Sequence, residues 1–336
     1  MYAASLLRRD NIKALTICTG TVDRYLFAAA SQVREATVKL GKVYFDPRHD
    51  KHGRPSLGLA KVKRSHQRWE RMPCRREPVT VPMLLYMQKQ TVSSHPHNLV
   101  AVHFDWQVLG HHFGFRKSEW CQDSVHMRDG NFRRAPSGDH MASIFSDFTL
   151  LGKNDYEHTD TTEALQRPDI VHSVRYCWRY QKNGDNGATR TVLRNTSCPD
   201  LCPVRAAMRI LSRARALAVK PDDPVAVFVS SDDKAYSFIT NEHVQVLVRS
   251  ADSAVYNIND RNRLRLWSCH SIRVGACVQL YNSKHSPDKI QHLLRWKSVT
   301  WRDFLRDCSS LSASQLDGIS AAAKAARENE MIQHCD

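Results

Sequence analysis

Apolar residues at Val22, Tyr25, Leu26, Ala29 and Val33 recur at the three- and four-residue spacing of one helix face, which predicts a helix over Thr21–Val33 capped by Thr19 or Thr21. The pattern then changes. Asp46 to Pro55 and Lys61 to Arg64 are polar, basic and broken by Gly and Pro, so residues 46–78 read as an exposed segment or linker. Pro78 and Pro82 bracket a second folded region, with a helix expected from about Val81 to Lys89. Residues 97–113 are apolar and read as a buried helix ending near Gly114.

Strand-like stretches follow. Ser143 to Leu151 reads as a strand, and Ile170 to Tyr180 alternates in a β-rich composition. The turn cluster Asn183-Gly-Asp-Asn-Gly187 lets Thr189 to Leu193 return as the second arm of a hairpin. Pro203 opens a helix at its favoured first position, continued by Val204, Ala207, Met208, Leu211 and Arg215. Further helices are expected over Thr240–Ser250, His270–Tyr281, Ser286–Leu294 and Ser314–Ile332. The expected fold class is mainly α with a small β-sheet (α+β). A chain of 336 residues is long enough for two domains, and the change of pattern divides a basic helical region, 1–75, from a larger domain, 76–336.

Composition narrows the function. Apolar residues make up 42% and charged residues 25%, which is ordinary for a globular protein and too apolar for disorder. There is no apolar run of membrane-spanning length, and Met1 to Asp10 puts its basic residues after its apolar ones, the reverse of a secretory signal. An intracellular protein is expected, with no membrane partner. The balance of 49 Lys and Arg against 34 Asp and Glu gives +15, of which +10 falls in residues 1–75. That excess suits a polyanion such as DNA or RNA, or else merely a solvated basic surface. Ten Cys form no disulfide framework in such a context. The closest pair, Cys198 and Cys202, lacks the second pair a zinc site needs, and no cofactor or metal is expected.

The chemistry-bearing residues cluster late. His270-Ser-Ile-Arg273 places a His and an Arg three apart, on one face if helical. An apolar helix runs to Tyr281, then comes a short helix ending in Ile290-Gln-His-Leu-Leu-Arg-Trp296, then a further helix expected within Lys297 to Arg306. Upstream, Gly114-Phe-Arg116-Lys-Ser-Glu119 follows the buried helix, and Lys182 sits at the predicted hairpin turn. In this order the residues resemble the catalytic half of the tyrosine recombinases, the phage-integrase family, in a variant similar to those of eukaryotic mobile elements. The resemblance covers about residues 80–310. The Thr21–Val33 helix is similar to one of that family's DNA-clamping domain, which is short here, as in a chain truncated at its start.

The resemblance implies roles. Arg116 and Arg273 clamp the scissile phosphate, because a planar guanidinium grips two phosphate oxygens and stays charged. His270 donates to the same phosphate or assists proton transfer. Trp296 stands where the family uses His or Trp, and its indole N–H can donate one hydrogen bond. Lys182 protonates the departing 5′ oxygen. Glu119 orients a neighbouring basic side chain rather than reacting. Arg24, Lys61, Lys63 and Arg64 supply further contacts to double-stranded DNA. The last helix, Ser314–Ile332, either docks into a neighbouring subunit of a synaptic tetramer or lies on its own domain.

One residue departs from the family. The nucleophilic Tyr is expected about eight residues after the Trp, where this chain has Phe304, and no Tyr follows Tyr281. The expectation is a recombinase-like protein that binds DNA and has lost cleavage. A degenerate mobile-element integrase, a domesticated DNA-binding regulator and an enzyme completed in trans by a Tyr-bearing partner all stay open. Nuclear residence is expected in a eukaryotic host.

Overall fold

The buried run of residues 97–113 becomes the helix around which the larger part of the molecule is packed. Asn98 caps it by accepting from the Ala101 N–H at 2.9 Å. Every residue from Ala101 to Gly110 is buried. Gly114 ends it in the left-handed region (φ 61°) with its N–H on the Gly110 carbonyl, a conformation glycine adopts without strain. A computed structural model of the chain describes residues 19–42, 46, 48–49, 52, 56–69, 75–128, 132–135, 137–158, 161–181, 184–230 and 235–305. The expected helix over Ser314–Ile332 lies outside them.

Among the described residues the helices are α1 (Thr19–Lys39), α2 (Leu57–Trp69), α3 (Val81–Val92), α4 (Leu99–Phe113), α5 (Ser124–Arg128), α6 (Thr161–Gln166), α7 (Pro203–Ala216), α8 (Asn241–Tyr256), α9 (Arg261–Leu264), α10 (Ser271–Asn282) and α11 (Pro287–Leu293). The strands are β1 (Phe148–Leu151), β2 (Ser173–Trp178), β3 (Ala188–Leu193), β4 (Val227–Val229) and β5 (Tyr236–Phe238). The fold is α+β, mainly helical. The chain divides into two compact units, Met1–Cys74 and Arg75–Asp336.

In the first unit, α1 buries Val22 and Ala30. The segment read as a linker carries a helix, α2. Its less exposed positions are Leu59, Ala60 and Lys63, so the face shows little hydrophobicity in the sequence. Lys63 is held by an ion pair with Asp23 of α1, and the Arg48 guanidinium lies 5.1 Å above the Phe27 ring.

In the second unit, α4 packs against α3, α7 and α10. The antiparallel sheet runs β1-β2-β3, pairing Leu150 with Val174 and Val174 with Val192. From Val174 on, Val174, Tyr176 and Trp178 are buried while Arg175 and Cys177 are less so, which is the period of two expected of a strand with one covered face. The expected strand over Ser143–Leu151 shortens to β1. Its first half is a 3-10 turn, Phe145–Asp147, in which the Asp147 carboxylate accepts from the Ile144 N–H at 2.9 Å and from Arg179 Nε at 2.5 Å. An aromatic cluster joins sheet to helix: Trp106 stacks on Trp120 (5.4 Å), and Phe115 meets Tyr176 edge-on (4.9 Å). Gly275 lets α10 approach closely, since a Cβ there would run into the Val79 carbonyl oxygen and His111.

Candidate functional site

The turn at Gly114 brings the chain off α4 and into the 3-10 turn Lys117–Glu119. There Glu119 folds back to accept from the Arg116 backbone N–H at 2.9 Å and from Arg116 Nη1 at 3.0 Å. Some 180 residues later, α11 ends and Arg295 takes a left-handed conformation (φ 54°), which turns its side chain back toward Glu119. Arg295 Nη1 and Nη2 donate to the two Glu119 oxygens at 3.0 Å each. Nη1 also reaches Gln181 Oε1 at 2.9 Å, and the guanidinium lies 3.8 Å above the Trp178 ring. Arg116 Nη2 donates to the Arg295 carbonyl at 3.1 Å. The Glu119 carboxylate, 4% exposed, thus ties its own turn to Arg295, and Arg295 extends the link to Trp178 and Gln181.

Arg273 rises from the first turn of α10 and is 1% exposed. It donates to the carbonyls of Gly114 and Leu294. Its guanidinium lies 4.6 Å above Trp296, which stacks at 5.4 Å on Phe304. His270 completes the row, its ring 5.2 Å from that of Phe304. The structure therefore gathers Arg116, His270, Arg273, Trp296 and Phe304. Lys182 lies outside the described residues, although Gln181 beside it reaches into the group. Arg24, Lys61 and Arg64 are exposed on α1 and α2, whereas Lys63 is engaged by Asp23.

Two local expectations are corrected. His270 occupies the residue before α10 rather than its first turn, because Ser271 begins the helix. Phe304 ends a 3-10 turn, Val299–Phe304, rather than riding on an α-helix. Four residues that sequence reasoning missed are Trp178, Gln181, Arg190 and Arg295. Arg190 of β3 donates to the Leu293 carbonyl at 3.1 Å, with its guanidinium 5.9 Å above Phe113. Arg295 closes the apolar run Leu293-Leu294, which by itself assigns it no role.

Among the described residues four guanidiniums accompany one carboxylate here, and the titration behaviour reflects it. Burial brings Arg273 down to about 9, with the charges of Arg116 and Arg295 adding to the effect. Burial and Arg295 bring Arg190 down to about 10. Burial pushes Glu119 upward, but the charge and hydrogen bonds of Arg295, with those of Arg116, leave it below the ordinary carboxylate range. His270 is lowered to about 4 by burial, then by Arg273, Arg76 and Arg116, so it is neutral at pH 7. An incoming oxyanion would relieve this mutual repulsion. Among the described residues no three His, Cys, Asp or Glu side chains group as metal ligands, and no helix is long and apolar enough to cross a membrane.

Buried neutral imidazoles carry a pH consequence. His270 and His112 are lowered to about 4 and His103 to about 3, in each case chiefly by burial. Below about pH 6.5 the unfolded chain takes up protons that the folded chain refuses, so stability falls as pH drops toward about 4, by up to roughly 1.4 kcal/mol per pH unit for each imidazole. Asp252, raised by burial to about 6, opposes this with one proton. Urea midpoints are expected to be lower at about pH 5 than at about pH 7, with a shallower dependence in His103→Gln. A pH-independent midpoint would contradict the burial of neutral His.

No protein-family model and no curated protein matches the chain. Among solved structures, it is similar to a segment of the Tn1549 transposon integrase, bearing a Tyr-to-Phe substitution and in complex with transposon right-end DNA. The alignment covers 95% of this chain and 98% of that one, at 12% identity and a TM-score of 0.38.

Proposed function

We propose that this protein binds double-stranded DNA through a phosphate site of the tyrosine-recombinase type and does not cut it. The observation that carries the reading is the convergence of Arg116, His270, Arg273, Trp296 and Phe304 in one group, as in the direct row Arg273–Trp296–Phe304–His270. A buried excess of guanidinium with a neutral imidazole beside it suits a phosphodiester, whose two non-bridging oxygens accept from planar donors. Phe304 stands at the nucleophile's position and offers only a ring. The basic first unit, with Arg24, Lys61 and Arg64 exposed, supplies sequence-independent phosphate contacts. Assembly on DNA as a homo-oligomer, without cofactor or metal, belongs to the same reading.

Binding to a duplex is expected to weaken steeply between about 50 and about 200 mM salt, with a log–log slope of roughly −0.9 per neutralised phosphate. Arg116→Ala should reduce that slope by about one and leave the fold nearly intact, because Glu119 keeps Arg295 as its partner. Arg273→Ala should weaken binding and also lower stability, since the side chain is buried and holds two backbone carbonyls. Fluorescence anisotropy across the salt series checks these outcomes, and a flat salt response would overturn the DNA reading.

A further inference from the structure

A second cluster of buried charge lies away from the group just described. On α4, Asp105 precedes Gly114 by nine residues, a distance of about 13 Å along a helix. Asp105 is 1% exposed and accepts from two arginines of α7, Arg209 Nε at 2.6 Å and Arg213 Nη2 at 2.8 Å. Arg213 is 4% exposed and is fixed further by a hydrogen bond from Nε to the Pro96 carbonyl at 2.9 Å. One carboxylate therefore faces two guanidiniums. Nη1 of Arg213 and Nη2 of Arg209 are buried and meet no acceptor among the described residues.

Both arginines line a cavity of about 900 Å³, which falls in the range of small-molecule sites. Phe104, Leu165 and Met208 give it an apolar wall, Arg194 and Arg205 add positive charge, and the Asp169 and Asp200 carboxylates also line it. A pair of ion-paired arginines that served only to join α4 to α7 would need neither the spare donors nor the space. The Arg209 side chain is 41% exposed, whereas the Arg213 guanidinium is buried, and each keeps a buried donor that an anion in the cavity would satisfy.

We propose that this cavity binds a small organic anion, a carboxylate or a phosphate ester attached to an apolar body. The oxyanion completes the neutralisation of Arg209 and Arg213, and the apolar body lies against Phe104, Leu165 and Met208. The site is separate from the DNA reading and stands without it.

Isothermal titration of the full chain with 2-naphthyl phosphate, 2-naphthoate and neutral 2-naphthol tests this. At least one anion is expected to bind about tenfold or more tightly than naphthol, the ratio that one charge-assisted hydrogen bond provides. The stronger of the two anions identifies the headgroup. Ser212→Trp, an exposed position on the cavity wall, should abolish binding, and Arg209→Gln should erase the preference for the anion. Circular dichroism reports whether each variant stays folded, and Arg209→Gln leaves the Asp105–Arg213 pair in place. The proposal is overturned if naphthol binds as well as both anions, if no probe binds, or if both folded variants bind unchanged. Displacement of 2-naphthyl phosphate by duplex DNA would also overturn it, by making these arginines part of a DNA-binding surface.

Discussion

Phe304→Tyr is expected to convert a protein that leaves supercoiled plasmid intact into one that nicks or relaxes it, with protein trapped covalently on the DNA. The substitution adds one oxygen to a ring already stacked on Trp296 and set 5.2 Å from His270. Attack by that oxygen forms a phosphorus–oxygen bond to the tyrosine, and the bond to the 5′ oxygen breaks. The departing oxygen needs a proton. On the proposed reading Lys182 supplies that proton and the phenol's proton leaves to water, since neutral His270, lowered to about 4, is both a poor donor and a weak base at pH 7. Losing a nucleophile in such a unit costs on the order of a millionfold in rate, so the wild type should be silent and the variant readily measured. Activity in the wild type would place the nucleophile elsewhere. Inactivity of both would leave these five side chains as a binding site without latent chemistry.

The second large effect concerns stability. Glu119→Gln removes the carboxylate that accepts from both Arg116 and Arg295, two largely buried guanidiniums. Breaking a buried pair by removing one partner destabilises by about 3–5 kcal/mol, which for a domain of this size is a fall of roughly 6–20 °C in melting temperature. Because Glu119 titrates below its ordinary value, its stabilisation is present above about pH 4.5 and is lost only as pH falls through that lowered value. Added sulfate should restore more of the melting temperature in the variant than in the wild type, since an external anion can take the carboxylate's place. An unchanged melting temperature would mean that Glu119 is not the counter-ion.

Much of the helical framework was legible because local signals agreed. In α4 an apolar run, an Asn cap and a terminal Gly all point the same way, and in the β2–β3 hairpin a Gly-rich turn separates two β-rich arms. Helix α2 was not legible, because one inward position is a lysine neutralised by an aspartate on another helix, which hydropathy reads as solvent-facing. The site divides in the same manner. Arg116, His270, Arg273, Trp296 and Phe304 could be picked out by type and order. Arg295 could not, since its role depends on a left-handed backbone at one residue and on a carboxylate 176 positions away. Nor does the sequence reveal that Arg273 is buried beneath the group.

The Gly114 carbonyl accepts from Arg273 and Arg295, across 159 and 181 residues. Contacts of that span close late, because the loop entropy must be overcome before the bonds form. During synthesis the turn after α4 emerges long before its partners exist, so about half of the chain is made while Glu119 lacks Arg295. The site therefore closes only once residues 273–304 can reach the turn after α4. Pulsed hydrogen exchange during refolding should find the Arg116–Trp120 amides protected after those of α4.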